Sequence, residues 1–172
     1  MSDLETILAI INDGARAYKG VIPTDLWREP YMSSDELRHA IVSGIKFSGA
    51  EIGGNIIGVM GVEARQDVML IRHAYVRTNR QKRGIGTALL NNLKFGVNRP
   101  FLIGTWSAAR WAIWFYENNG FSVVGGAEKD RLLKTYWEIP DRQAEESIVL
   151  VDPRGRREIV RSQAKTGSEV SD

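Results

Sequence analysis

The stretch from Val68 to Pro100 constrains the fold more than any other part of the chain. It opens on Val68 to Val76, rich in apolar and β-branched side chains, which reads as a strand. A polar, basic run follows from Arg77 to Arg83. From Gly84 onward, Leu89, Leu90, Leu93 and Val97 mark a helix with one buried face, and Pro100 ends the unit. Phe101 to Trp106 is then a short buried strand. A strand–helix–strand unit of this length is a crossover. Its two strands are expected to lie parallel and adjacent in one sheet.

The segments on either side decide the fold class. Upstream, residues 45–52 and 56–63 read as strands joined at Gly53-Gly54, with a turn at Ala64 to Asp67. That meander is antiparallel, so the sheet cannot be wholly parallel. An N-terminal helix carries Leu4, Ile7, Leu8, Ile11, Ala15 and Tyr18 on one stripe, with Ser2 and Glu5 at capping-box spacing. Gly20 and Pro23 break it, and residues 20–32 form a loop. A second helix is expected from Ser34 to Ser43, with Leu37 and Ile41 inward, His39 outward and Gly44 as its stop. Downstream, Ser107 is a plausible N-cap for a helix ending at Gly120. That helix is apolar nearly all round, so it should be buried on most sides. A strand over 121–124, a helix over 128–137, a loop around Pro140 and a last strand over 147–151 complete the pattern. The expected class is α+β, with a mixed, mostly antiparallel central sheet flanked by helices. Residues 1–152 are expected to form a single domain. Residues 153–172 are polar, hold four Arg and read as a disordered tail.

Composition removes several function classes. The chain has no Cys, which excludes disulfides, a thiol nucleophile and thiolate metal sites. With only His39 and His73 as imidazoles, no metal centre is expected. Lys and Arg number 23 against 21 Asp and Glu, a net charge of +2 that cannot coat a nucleic-acid backbone. The acidic start lacks the basic region of a signal peptide, and no apolar run reaches the ~18 residues a membrane helix needs. The expectation is a cytoplasmic protein with no nucleic-acid or membrane partner.

Two motifs carry chemistry. The first is Gln81-Lys82-Arg83-Gly84-Ile85-Gly86-Thr87, between the strong strand and the strong helix. A helix N-terminus offers unpaired N–H groups and about half a positive charge, and glycines let the backbone approach an anion closely. Arg77, Arg80, Lys82 and Arg83 add four cations with no acid among them. The physical reading is a phosphate or pyrophosphate cradle. The alternative is a polar loop with a helix-starting glycine. The P-loop pattern does not occur, and the dinucleotide pattern fails because Leu89 holds its third glycine position. The second motif is Tyr116-Glu-Asn-Asn-Gly120-Phe121, where the Tyr sits on the last turn of a helix. A Tyr among Trp and Phe is more often core than catalytic.

Together, at this spacing and in this order of elements, the two motifs resemble those of the GNAT N-acetyltransferases. Gln81, Gly84 and Gly86 match the family's phosphate motif, Tyr116, Gly120 and Phe121 its Tyr-x-x-x-Gly-Phe, and Ala74-Tyr75-Val76 its strand-end triplet. The resemblance covers roughly residues 1–151. Residues 71–76 and 136–143 are also similar to stretches in a little-characterised bacterial subset of the family. The resemblance implies acetyl-CoA as co-substrate, without a metal, and a small-molecule or peptide amine as acceptor. It also implies direct attack in a ternary complex. It implies a splayed parallel strand pair holding the cofactor, with pantetheine along Ala74, Tyr75 and Val76. The pyrophosphate then lies on the amides of Gln81, Lys82, Arg83, Gly84, Ile85, Gly86 and Thr87. The Val76 N–H polarises the thioester carbonyl, and Tyr116 protonates the departing thiolate. A homodimer stays open. A non-catalytic acyl-CoA sensor on the same fold is the alternative.

The chain departs from the family pattern twice. Ala109 stands where many relatives carry a cofactor-contacting Asn, with Ser107 as a weaker substitute. No side-chain base is evident either. Strict alternation puts Leu70, Arg72, Ala74 and Val76 on one face of their strand and His73 on the other, with Ile71 and Tyr75. Only a β-bulge would reverse that. Trp27, Tyr31, Trp106 and Tyr136-Trp137 either line an acceptor pocket or cover the core, with Trp106 favoured for the pocket. Trp111 and Trp114 read as core.

Overall fold

Three strands that the sequence marks by apolar runs have the expected bounds in a computed structural model, which describes residues 3–157. These are β3 (Val68–Val76), β4 (Phe101–Trp106) and β6 (Ser147–Val151). The others are β1 (Lys46–Ile52), β2 (Asn55–Arg65) and β5 (Ser122–Val124). The helices are α1 (Asp3–Ala15), α2 (Ser34–Val42), α3 (Ile85–Lys94), α4 (Arg110–Asn118), α5 (Gly126–Tyr136) and α6 (Asp141–Glu145). The six strands form one mixed sheet in the order β1-β2-β3-β4-β6-β5, with β3 and β4 parallel. The class is therefore α+β, as the antiparallel meander and the crossover together require. The described residues group into two compact units: 3–65 with 70–97, and 66–69 with 98–157.

In the first unit, β1 and β2 pair antiparallel from Lys46↔Val62 to Ile52↔Asn55 through the Gly53-Gly54 turn. Ile10 and Ile11 of α1, Leu37 of α2, Met32 and Val59 form a buried cluster, with Leu4, Ile7, Leu8, Phe47 and Tyr75 packed against it. Ile10 lies outside the stripe expected for α1, yet it is fully buried. The proposed cap at Ser2 lies outside the described residues. α2 instead has a capping box of its own: Glu36 N donates to Ser33 Oγ and Ser33 N to the Glu36 carboxylate. His39 is exposed, as expected. Ile41, expected inward, is 38% exposed, because one turn before the helix ends only Leu37 is covered.

In the second unit, β6 lies between β4 and β5, antiparallel to both. Phe101, Val149, Leu150 and Val151 are fully buried there, and Leu132 and Leu133 of α5 are also in the core. Three expectations are corrected. Ser107 is not the cap of α4, whose N-cap is Ala109; Ser107 N donates to Glu146 O, so extended pairing continues past the strand end. Trp111 and Trp114 are not core, being 42% and 68% exposed, because the covered stripe is Ala112, Ile113 and Tyr116. The loop around Pro140 holds a short helix, α6, with Pro140 as its N-cap. Beyond residue 152 a helical turn runs over 153–157. The buried Asp152 carboxylate accepts from Arg154 N and Gly155 N at 3.1 and 2.9 Å. The rest of the expected tail lies outside the described residues.

Candidate active site

The first unit holds every residue read as cofactor-binding. β3 leaves its pairing at Arg77, whose N donates to Ile57 O at 2.9 Å, and a 3-10 turn over Thr78–Arg80 follows. Asp13 of α1 anchors that turn, accepting from Thr78 N at 2.7 Å and Thr78 Oγ1 at 2.8 Å. Burial acts to raise the Asp13 pKa. The two Thr78 hydrogen bonds, with the charges of Arg16 and Arg77, outweigh it and hold the carboxyl below its usual range.

Gln81 then ties the loop back to the strand: its Nε2 donates to Val76 O at 3.2 Å. Lys82 and Gly84 both have left-handed backbone, with φ of 59° and 77°. Alternation of that kind turns successive N–H groups to one side and makes an anion-binding concavity. Gly84 is the N-cap of α3, which has no side-chain cap and no acid in its first turn. The first intrahelical bond runs from Ala88 N to Gly84 O, so Ile85, Gly86 and Thr87 keep N–H groups without a partner in the helix. Lys82 and Arg83 are exposed beside them, and neither is within salt-bridge distance of a carboxylate among the described residues. Uncapped amides, left-handed turns and unpaired cations fit a pyrophosphate.

On β3, Ala74, Tyr75 and Val76 are half-buried. Val76 packs beside Gly58 with Ile85 and Leu89 of α3, whereas the Tyr75 ring lies against Gly14 of α1. His73, with φ of 50°, interrupts the strand between them and Arg72. Strict alternation fails there. Arg72 reaches Glu63 at 2.7 Å, and His73 stacks on Phe47, with ring centroids 6.1 Å apart. Glu63 and Phe47 share one side of β2, because a Cβ on Gly61, two residues before Glu63, would sit 3.2 Å from the Phe47 ring. Arg72 and His73 therefore face the same way, as two residues at a bulge do, and Arg72 does not share Val76's face. Burial pushes the His73 imidazole down to about 4, assisted by Arg72 and opposed by Glu36, so it is neutral at pH 7. The buried Glu63, held by Arg65 and Arg72, carries no signal in the sequence.

Tyr116 belongs to the second unit and is buried on α4. Its surroundings explain most of its motif. Phe121 N donates to Tyr116 O and Gly120 N to Glu117 O, both at 3.0 Å, and Gly120 has φ of 85°. This is a Schellman cap, completed by contact of the Phe121 and Tyr116 rings at 5.5 Å. In the same unit Trp137 lies over β4: a Cβ on Gly104 would meet its indole at 3.3 Å. Tyr136 OH donates to Asp67 at 2.8 Å. A glycine inside an apolar strand was the one sequence signal for the Trp137 contact. No group of three or more His, Asp or Glu able to hold a metal occurs among the described residues. No helix among them is long and apolar enough to cross a membrane.

Residues 43–123 match the family described as an acetyltransferase (GNAT) domain. Solved structures share the chain's fold. PaiA N-acetyltransferase from Thermoplasma acidophilum, in complex with coenzyme A, has a TM-score of 0.64 at 19% identity, covering 87% of this chain and 92% of that one. An acetyltransferase of the GNAT family from Staphylococcus aureus Mu50 has a TM-score of 0.61 at 18% identity, covering 87% and 91%. A GNAT family acetyltransferase from Elizabethkingia anophelis with acetyl-CoA bound has a TM-score of 0.54 at 22% identity, covering 76% and 90%. Among curated proteins none matches.

Proposed function

We propose that the protein transfers an acetyl group from acetyl-CoA to a primary amine of a small molecule or peptide, by direct attack in a ternary complex. The observation that carries this reading is the 81–87 loop: open amides on α3, two left-handed residues and unpaired cations, tied through Gln81 to Val76. The amides and cations hold the pyrophosphate, and the backbone of residues 74–76 pairs with pantetheine. The Val76 N–H stabilises the charge that builds on the carbonyl oxygen. The neutral amine nitrogen attacks the carbonyl carbon, the C–S bond breaks, and the nitrogen releases its extra proton to solvent. The thiolate takes a proton from the Tyr116 phenol, which solvent restores, leaving an amide and free CoA.

A second reading, acyl-CoA binding without turnover, is favoured by one observation: the Schellman cap accounts for Tyr116 without its hydroxyl. One experiment separates the two. CoA at 100-fold excess over its Kd stabilises a native state by about 2.7 kcal/mol. Gly86→Asp, which puts a carboxylate among the open amides, should abolish the resulting rise in Tm while leaving circular dichroism native. Free-thiol release with a panel of amines marks an enzyme; stabilisation without any release marks a sensor. No rise in Tm at millimolar CoA defeats both.

A further inference from the structure

Consecutive residues at the end of α1 each hold a different segment of the first unit. Asn12 fastens Met32 by two bonds, Asn12 Nδ2 to Met32 O and Met32 N to Asn12 Oδ1, each 2.9 Å. Gly14 seats Tyr75 of β3, since a Cβ there would approach the ring to 2.9 Å. Between them, Asp13 takes both Thr78 donors on one carboxylate oxygen, Oδ2, at 2.7 Å from N and 2.8 Å from Oγ1. Ile10 and Ile11, just before, are fully buried. The end of α1 is therefore a fixed platform, and Asp13 is its hydrogen-bonded contact with the turn that leads into the 81–87 loop.

Local physics disfavours a carboxylate at position 13. It lies in the last turn of α1, which holds no basic residue, and the helix dipole is negative there. Arg16, 3.7 Å away with a side chain 80% exposed, offsets little of this. The loop that follows is the one read as an anion cradle, where a further negative charge opposes the ligand. What Asp13 gains is Thr78, which sits two positions after Val76 and three before Gln81. That segment is otherwise tied to itself and to β2: Arg77 N donates to Ile57 O, Arg80 N to Arg77 O and Gln81 Nε2 to Val76 O. Asp13 ties it to the helical layer, and hydrogen bonds to an ionised acceptor are the strong ones.

We infer that Asp13 is a positioning residue for the coenzyme: through Thr78 it holds the end of β3 and the 81–87 loop in place for the pyrophosphate. The inference rests on the CoA-binding reading above and adds to it a residue outside the 74–87 segment. The pyrophosphate is remote from the carbonyl that reacts, so a displaced loop weakens ground state and transition state alike. Loss of Asp13 should therefore raise the KM for acetyl-CoA and leave kcat nearly unchanged.

Calorimetric titration of CoA into the full chain tests this, with steady-state kinetics alongside. Asp13→Ala should raise the Kd for CoA and the KM for acetyl-CoA about tenfold. kcat should stay within about twofold. Asp13→Asn should recover most of the affinity, because both Thr78 bonds go to one oxygen and an amide oxygen can accept both. Thr78→Val removes only the hydroxyl bond and should raise Kd about threefold. In the Asp13→Ala background it should add nothing, and it reports on the same contact if Asp13→Ala does not fold. A lower Tm in Asp13→Ala with an unchanged Kd would mean that the contact serves the fold alone, and would overturn the inference. An Asn variant as weak as the Ala variant, or additive losses in the double variant, would overturn it too. A wild-type chain that binds no CoA defeats the CoA-binding reading itself, whereas CoA binding indifferent to Asp13 and Thr78 defeats the inference alone.

Discussion

Acidification should unfold this protein through His73 before its carboxylates matter. The imidazole titrates at about 4 in the folded chain and near 6.5 when unfolded. The unfolded state therefore binds the extra proton between those values, and stability falls as pH drops through 6.5 toward 4. Integrating the difference gives a loss of about 2 kcal/mol between pH 7 and pH 5. The burial that desolvates the ring and the adjacent Arg72 cause this, and Glu36 recovers only part. Asp13, Glu29 and Glu36, all with lowered pKa, add losses only as pH falls through the carboxylate range and below. The window above pH 5 thus isolates the histidine. Urea midpoints at pH 7, 6 and 5 provide the assay. With a slope of ~2 kcal/mol per molar urea, the midpoint should fall by about 1 M. His73→Asn removes the titration and keeps a residue type that tolerates the left-handed backbone, where φ is 50°. Whatever its absolute stability, the variant's midpoint should hardly move between pH 7 and 5. A wild-type midpoint flat over that range, or the same slope in the variant, would refute the reasoning.

Two further outcomes are expected. Truncation after Asp152 should cost roughly 1–3 kcal/mol, because it strips two backbone donors from a carboxylate that is 1% exposed. Truncation after Arg157 keeps them, and a comparison of Tm values checks the difference. Tyr116→Phe should lower kcat by ~10²-fold with CoA affinity nearly unchanged, since the phenol's proton is needed only as charge reaches sulfur. Steady-state kinetics with CoA titration tests this, and an unchanged kcat would leave Tyr116 a packing residue.

The parts of the fold legible in the sequence are those in which one interaction dominates. β3, β4 and β6 are apolar runs that can only be buried, and their bounds agree with the expectation. α4 was harder to read because Trp111, Ala112, Ile113, Trp114 and Phe115 are all apolar, so periodicity does not choose a face. Nine residues of helix cover only the Ala112, Ile113 and Tyr116 stripe, leaving both tryptophans outside it. Ser107 has the chemistry of a cap, but its N–H is already bonded to Glu146 O, a partner 39 positions away. In β3 the period-two rule fails at one left-handed residue, and nothing local in Arg72-His73-Ala74 requires it beyond histidine's tolerance for that conformation. Glu63 and Arg72, nine positions apart, pair only because β2 and β3 bring them together.

What the fold fails to explain in the motifs points most directly to chemistry. Gly120 is required by its φ of 85°, and Phe121 and the Tyr116 ring by the cap contact they share. A Phe at 116 would serve that cap equally well, so the cap itself does not call for the hydroxyl. The same subtraction applies to the loop. Gly84 answers to its φ of 77°, and Gln81 to its bond with Val76 O. Gly86 answers to neither, for it lies inside α3 without positive φ. There a glycine costs about 1 kcal/mol relative to Ala. A glycine at the second residue of an uncapped helix, beside open N–H groups, is what close approach by an anion requires. Gly86→Ala should therefore separate the two demands. It should raise Tm without ligand, by improving the helix, and weaken CoA binding, by moving the phosphate away. A gain in stability with undiminished CoA affinity would show that Gly86 serves no ligand.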